Sequence, residues 1–257
     1  MNSYNKIDLL KFISDIPNIN YDPLRYILNN NYLDASGLVI EFGCWKGQTL
    51  DMISDFTENN VYGFDTFEGV NVNWESVDMN KFNVNNIPKK VEKLDKYNRH
   101  KTIGQISTFN KNVIFIKGLF ENTLPKFLLE NNKEISFMHI DCDIYSSTKT
   151  IFNNCGKYIK NDCIIVFDEL VNYPGFENGE SKAFFEWVNE NNISFNWIGM
   201  NGAPLSYNEL NLLDSLNINK EYIIDNVETI DWFKKARILN IRFSVAVKII
   251  NNPLFNI

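Results

Sequence analysis

Seven short apolar runs, separated by gaps long enough to hold helices, most constrain how this 257-residue chain can fold. They span residues 37–42, 60–65, 112–117, 135–141, 162–168, 193–200 and 243–250 and are rich in Val, Ile and Phe. Near-continuous apolar runs of this length suit strands buried on both faces. Helical patterns lie between several of them, at 48–56, 124–130, 147–159 and 182–191, and a helical lead-in at 7–30 precedes the first. Strand–helix alternation predicts a doubly wound, mostly parallel α/β sheet of about seven strands. With 44% hydrophobic residues the chain suits a single domain over 1–257, its first 36 residues forming the lead-in. Residues 70–109 and 201–242 break the rhythm. Long irregular stretches inside a compact domain are commonly lids or binding loops.

Charge narrows the partners. Twenty-five basic residues against 32 acidic ones give a net of −7, with no clustered basic surface of the kind that holds nucleic acid. No apolar run is long enough to span a bilayer, and the start lacks the pattern of a signal peptide, so a cytoplasmic protein with no membrane partner is expected. Cys44, Cys142, Cys155 and Cys163 show neither metal-ligand nor redox spacing and are expected to be reduced.

The chemistry lies where the runs end. The first closes in Glu41-Phe42-Gly43-Cys44-Trp45-Lys46-Gly47, a strand entering a glycine turn before a helix. Such a turn lets backbone approach a ligand closely. Its spacing is E-x-G-x-x-x-G and not the G-x-G-x-x-G of dinucleotide sites, which disfavours NAD. Eighteen residues after Gly47, the second run ends at Asp65, where an acid in a Rossmann-like unit can accept both ribose hydroxyls. The fourth reads His139-Ile140-Asp141-Cys142-Asp143 and the fifth ends in Asp168-Glu169. Ligands of open α/β sheets bind at the carboxyl ends of strands, so these acids converge on one crevice. Crowded carboxylates repel unless protonated, solvated or neutralised, and a hard divalent ion such as Mg²⁺ is their natural partner.

The ordered set EFGCWKG, GFDTFEG, VIFIKGLFENTLP, HIDCDIYSSTK and FDELVNYPG, with GESKAF behind it, resembles a known family. It is similar to class I S-adenosylmethionine-dependent methyltransferases of the macrocin O-methyltransferase type, which act on sugar hydroxyls. The resemblance covers roughly residues 38–186. It implies that Glu41, Gly43, Cys44, Trp45 and Gly47 surround the methionine part of the cofactor. Asp65 would bind the ribose with Thr66 and Phe67 beside it, Lys117 and Gly118 would lie near the adenine, and Asp141 would border the cofactor. It implies Mg²⁺, or another hard divalent cation, on Asp141, Asp168 and Glu169. The adjacent pair is Asp-Glu here in place of Asp-Asp, so Glu169 reaches one methylene further, and Asp143 stands as an alternative to Asp141.

The implied reaction is methylation of a hydroxyl on a sugar or glycosylated small molecule. A bound divalent ion would stabilise the alkoxide, and in-line attack would then need mainly proximity and alignment. Asp141 and His100 are the candidate catalytic residues, His100 as general base. His139, inside the fourth run, reads better as a buried structural residue. Trp45, Phe67, Trp74 and Tyr173 could stack on adenine or sugar, although core packing competes for each. Two other readings stay open. One is a binding protein that keeps the fold without the chemistry. The other is a haloacid-dehalogenase-type phosphatase, whose D-x-D motif Asp141–Asp143 imitates but which leaves Glu41–Gly47 and Asp65 unexplained. The helical N-terminus and the aromatic-rich C-terminal stretch offer a homodimer face.

Overall fold

All seven apolar runs become strands of one sheet. The computed structural model describes residues 6–69, 73–74, 77–78, 82–215, 236 and 239–256. Its strands are β1 (Leu38–Phe42), β2 (Val61–Asp65), β3 (Asn73–Trp74), β4 (Val77–Asp78), β5 (Val91–Asp95), β6 (Asn98–Ser107), β7 (Val113–Lys117), β8 (Ile135–Ile140), β9 (Ile159–Phe167), β10 (Ser194–Met200) and β11 (Val245–Asn251). The helices are α1 (Lys6–Ile13), α2 (Pro23–Asn29), α3 (Gln48–Ser54), α4 (Phe120–Asn131), α5 (Tyr145–Cys155), α6 (Glu180–Asn191) and α7 (Tyr207–Ser215).

The large sheet runs β7-β2-β1-β8-β9-β11-β10. β11 is antiparallel to both its neighbours, while the ladders joining β7, β2, β1, β8 and β9 are parallel. β1 and β8 are buried along their whole lengths, as strands covered on both faces must be. Their side chains alternate between two cores. Ile40, Phe42, Met138 and Ile140 join α1, α4, α5 and α6, where Phe152 stacks on Trp187 with centroids 4.7 Å apart. Val39 and Phe137 join α2 and α3 through Leu24, Ile27, Leu50 and Ile53. The chain leaves β1 toward β2 on one side and reaches β8 on the other, so a crevice opens at the carboxyl ends of β1 and β8.

Three segments differ from the sequence expectation. The lead-in is two helices, because Pro17 and Pro23 interrupt it. Residues 17–19 pair with Met200 instead, through Ile19 N to Met200 O (2.9 Å) and Met200 N to Pro17 O (3.0 Å). Pro23 then starts α2, whose Asp22 cap accepts from Arg25 N at 3.0 Å. The 70–109 segment is not irregular throughout: β5 and β6 form an antiparallel hairpin with its turn between Asp95 and Asn98. Within 201–242, α7 is a regular helix, while residues 216–235 and 237–238 lie outside the described residues.

Candidate active site

The crevice is built by the turn after β1. Gly43 lies at φ +86°, and a Cβ there would fall 1.8 Å from the Asp141 carbonyl oxygen, so only glycine lets this turn cross the end of β8. Gly43 N donates to Phe64 O and Asp141 N to Phe42 O, tying the ends of β1, β2 and β8 together. Asp65 then organises the loop. Its Oδ2 accepts from Cys44 N and Trp45 N, each at 2.7 Å, and its Oδ1 accepts from Phe67 N at 2.7 Å. Trp45 sits at φ +45° and Phe67 at φ +58°, conformations that cost non-glycine residues roughly 1 kcal/mol or more each, and these hydrogen bonds hold them there. A carboxylate offers about four acceptor sites. Three are taken by backbone N–H groups, which leaves acceptor capacity on Asp65 facing the cleft.

A cleft of about 320 Å³ opens beside this loop. Of the residues expected at a site, it brings together Gly43, Cys44, Trp45, Asp65, Thr66, Asp141, Asp168 and Glu169. Phe82, Leu119 and Phe120 add apolar wall, and Trp45 meets Phe82 edge-on at 6.0 Å. Five expected residues do not line it. Glu41 is fully buried within the sheet. Gly47 packs against Phe109 and Phe115, and Phe67 is buried edge-on to Phe115. Lys117 pairs with Glu68 at 2.7 Å, and Gly118 N donates to Asp65 O. Tyr173 is likewise core, edge-on to Phe243, while the side chain of Trp74 lies outside the described ones. The neighbouring Asn172 ties strand ends to the α7 segment through Ala203 O, Arg242 O and Leu205 N.

At the far end of the cleft four acids gather, but the close trio differs from the expected one, with Asp143 in the place of Asp168 beside Asp141 and Glu169. Oxygens of Asp141, Asp143 and Glu169 lie within 4.8 Å of one another. Burial, then the charge of Asp168, pushes Asp141 and Glu169 well above the usual carboxylate range and Asp143 up to about 7. Asp168 behaves oppositely. Burial opposes its ionisation, yet the Arg99 guanidinium holds it well below the usual range. Arg99 Nη1 donates to Asp168 Oδ1, and Nη2 lies 3.3 Å from Asp141 Oδ2. Ser244 Oγ also donates to Asp168 Oδ1, at 3.1 Å. Glu169 Oε2 is buried with no hydrogen-bond partner among the described residues. The donor set is all oxygen, crowded and partly orphaned, which fits a hard divalent cation.

Below this floor, His139 Nδ1 lies 2.8 Å from Glu41 Oε1, both residues fully buried and paired in register across β8 and β1. This agrees with a structural His139, although its Nε2 and the Glu41 Oε2 have no partner among the described residues. His100 lies on β6, in regular strand, and its side chain falls outside the described ones. The cysteines are free and buried, and no helix among the described residues is long and apolar enough to cross a membrane.

Sequence reasoning missed Arg99 and Glu180. Glu180 opens α6, is fully buried beside Cys142, and is pushed well above its usual range by burial, then by Asp143 and Asp168. GESKAF pointed to its segment but not to its role.

The family model described as macrocin O-methyltransferase (TylF) matches residues 24–200, which include every acid of the cleft. Among curated proteins none matches. Among solved structures, the calicheamicin methyltransferase CalS11 is 22% identical over 77% of each chain, with a TM-score of 0.50. The O-methyltransferase NovP is 17% identical over 70% of this chain and 75% of its own, at 0.46. The MycE methyltransferase of the mycinamycin pathway, solved with Mg, SAH and mycinamycin VI, is 12% identical over 91% of this chain and 50% of its own, at 0.42. At such identities the CalS11 likeness is one of fold.

Proposed function

Since the chain belongs to the macrocin O-methyltransferase family and is an S-adenosylmethionine-dependent O-methyltransferase, we propose that its acceptor is a hydroxyl of a sugar or glycosylated small molecule. We further assign a divalent cation, Mg²⁺ first, to Asp141, Asp168 and Glu169, with Asp143 within reach of the same group. The observation that carries this reading is the continuity of one cleft, from the Asp65 loop at one end to the acids at the other.

The residues divide the work along that cleft. The Asp65 loop fixes the cofactor: the free acceptor site on Asp65 takes a ribose hydroxyl, and Trp45, Phe82 and Phe120 give aromatic surface near it. Gly43 and Cys44 bring backbone against the methionine portion, as the cleft lining supports. When bound, a hard cation lowers the pKa of a coordinated hydroxyl and orients it. His100, on β6, is assigned as the proton acceptor on its residue type, with Asp141 holding the acceptor end. Cofactor and acceptor then meet at fixed distance, which is most of what methyl transfer from a sulfonium needs. Glu41 and His139 stiffen the floor beneath Asp141.

Incubation with S-adenosylmethionine and a panel of nucleotide-linked sugars and glycosides, with Mg²⁺ or with EDTA, tests this reading. S-adenosylhomocysteine released with a sugar acceptor and suppressed by EDTA is the expected result. Turnover only on non-sugar hydroxyls overturns the acceptor assignment, and full activity in EDTA overturns the metal. A gentler variant probes the metal's surroundings. Ser244→Ala removes one hydrogen bond that orients Asp168, and metal affinity measured by calorimetry should fall about tenfold.

A further inference from the structure

The acids assigned to the metal already hold a cation of the chain's own. Arg99 is 10% exposed, and its guanidinium bridges Asp168 and Asp141, the same two acids. A guanidinium is always charged and spends its N–H donors on carboxylate lone pairs. A divalent ion needs those lone pairs itself and repels the guanidinium at contact distance. At Asp168 Oδ1 and Asp141 Oδ2 the two cations compete for the same oxygens.

The element carrying Arg99 does not depend on the acids for its position. Arg25, fully buried on α2, donates to the backbone carbonyls of Asp95 (2.6 Å) and Lys96 in the hairpin turn. Tyr21 Oη donates to Tyr97 O at 3.1 Å, and Asp95 Oδ1 accepts from Tyr97 N at 2.9 Å. Nearer the base, Lys93 pairs with Asp51, and Gln48 donates to Glu92 O at 3.0 Å. Five contacts from the rest of the chain, none of them to the acid cluster, thus fix the hairpin, so the Arg99 side chain can leave while its backbone stays.

Resting on the metal reading above, we propose that Arg99 is a resident counter-ion of the acid cluster. It neutralises Asp168 and Asp141 in the metal-free enzyme and is displaced from both when a divalent ion binds. Metal affinity is then set as a competition between the ion and a side chain of the same protein.

Calorimetric titration of Mn²⁺ into the full chain, its Arg99→Gln variant and its Arg99→Lys variant tests the exchange. S-adenosylhomocysteine binding serves as the check that each variant is folded. Competition predicts that Arg99→Gln binds Mn²⁺ about tenfold tighter or more. It also predicts that Arg99→Lys, which keeps the charge but loses the bidentate fork, binds tighter than wild type. In the wild type, the Arg99 Nε–H resonance, identified by its absence from Arg99→Gln, should lose its protection from solvent exchange when Mg²⁺ is added. An Arg99→Lys affinity equal to wild type, with an Arg99 resonance unmoved by Mg²⁺, reduces the effect to through-space repulsion and overturns displacement. No Mn²⁺ binding by any of the three, with S-adenosylhomocysteine binding intact, overturns the metal reading itself.

Discussion

Asp168→Asn is expected to lower metal-dependent methyl transfer about a thousandfold, the several kcal/mol that a properly held ion supplies. Asp168 is the acid in the cluster whose ionised form the surroundings favour, through Arg99. Asp141, Asp143 and Glu169 are all pushed the other way by burial and mutual repulsion. Removing the charge at Asp168 removes the anchor around which the others arrange, and asparagine keeps the shape and one acceptor oxygen. S-adenosylhomocysteine affinity should change by less than about threefold, because Asp168 contacts Arg99 and Ser244 and not the Asp65 loop. Calorimetry with the product cofactor and a turnover assay with and without Mg²⁺ separate the two quantities. Turnover retained in Asp168→Asn, still dependent on Mg²⁺, would remove Asp168 from the ligand set.

Asp65→Asn should show the converse pattern. Three backbone N–H groups, of Cys44, Trp45 and Phe67, converge on its carboxylate. An amide can turn its oxygen toward one side only and presents N–H₂ to the other, leaving at least one donor unsatisfied at about 1–3 kcal/mol. Trp45 and Phe67 are held at positive φ by those bonds, so the loop would relax away from the cleft. S-adenosylhomocysteine affinity is expected to fall about a hundredfold, combining a lost ribose contact with a lost loop. Mn²⁺ binding at the acids should persist. Wild-type cofactor affinity in Asp65→Asn would sink the assignment of this loop.

The sheet was legible because its central strands β1 and β8 are buried along their whole lengths, and such burial writes itself as near-continuous Val, Ile and Phe. The acids were legible for a related reason: a charge directly after an apolar run can only sit at a strand end. The Rossmann-like glycine turn was read as a lining, yet Glu41 belongs to the floor. Strand alternation places it across from His139, and only the register between β1 and β8 reveals that pairing. The break in the lead-in was available from Pro17 and Pro23, and the periodic apolar residues around them masked it. The β5–β6 hairpin left little trace. β6 reads Asn-Arg-His-Lys-Thr-Ile-Gly-Gln-Ile-Ser and is exposed over 101–106, so burial imposes almost no pattern on it. Arg99 could not be found by local reasoning at all, because its partners lie 42 and 69 residues away and nothing nearby in the chain marks it.

Arg25 holds the β5–β6 turn by its main chain. Its guanidinium binds the carbonyls of Asp95 and Lys96, and Tyr21 binds the carbonyl of Tyr97, so the anchor recognises main chain and is indifferent to the side chains at Lys96 and Tyr97. Within the turn, Asp95 is the residue whose side chain shapes the backbone, through Tyr97 N. The tip is therefore a cassette: side chains at Lys96 and Tyr97 can be exchanged, proline at 97 excepted because it lacks the N–H that Asp95 accepts, with the bearing of Arg99 over the acids preserved.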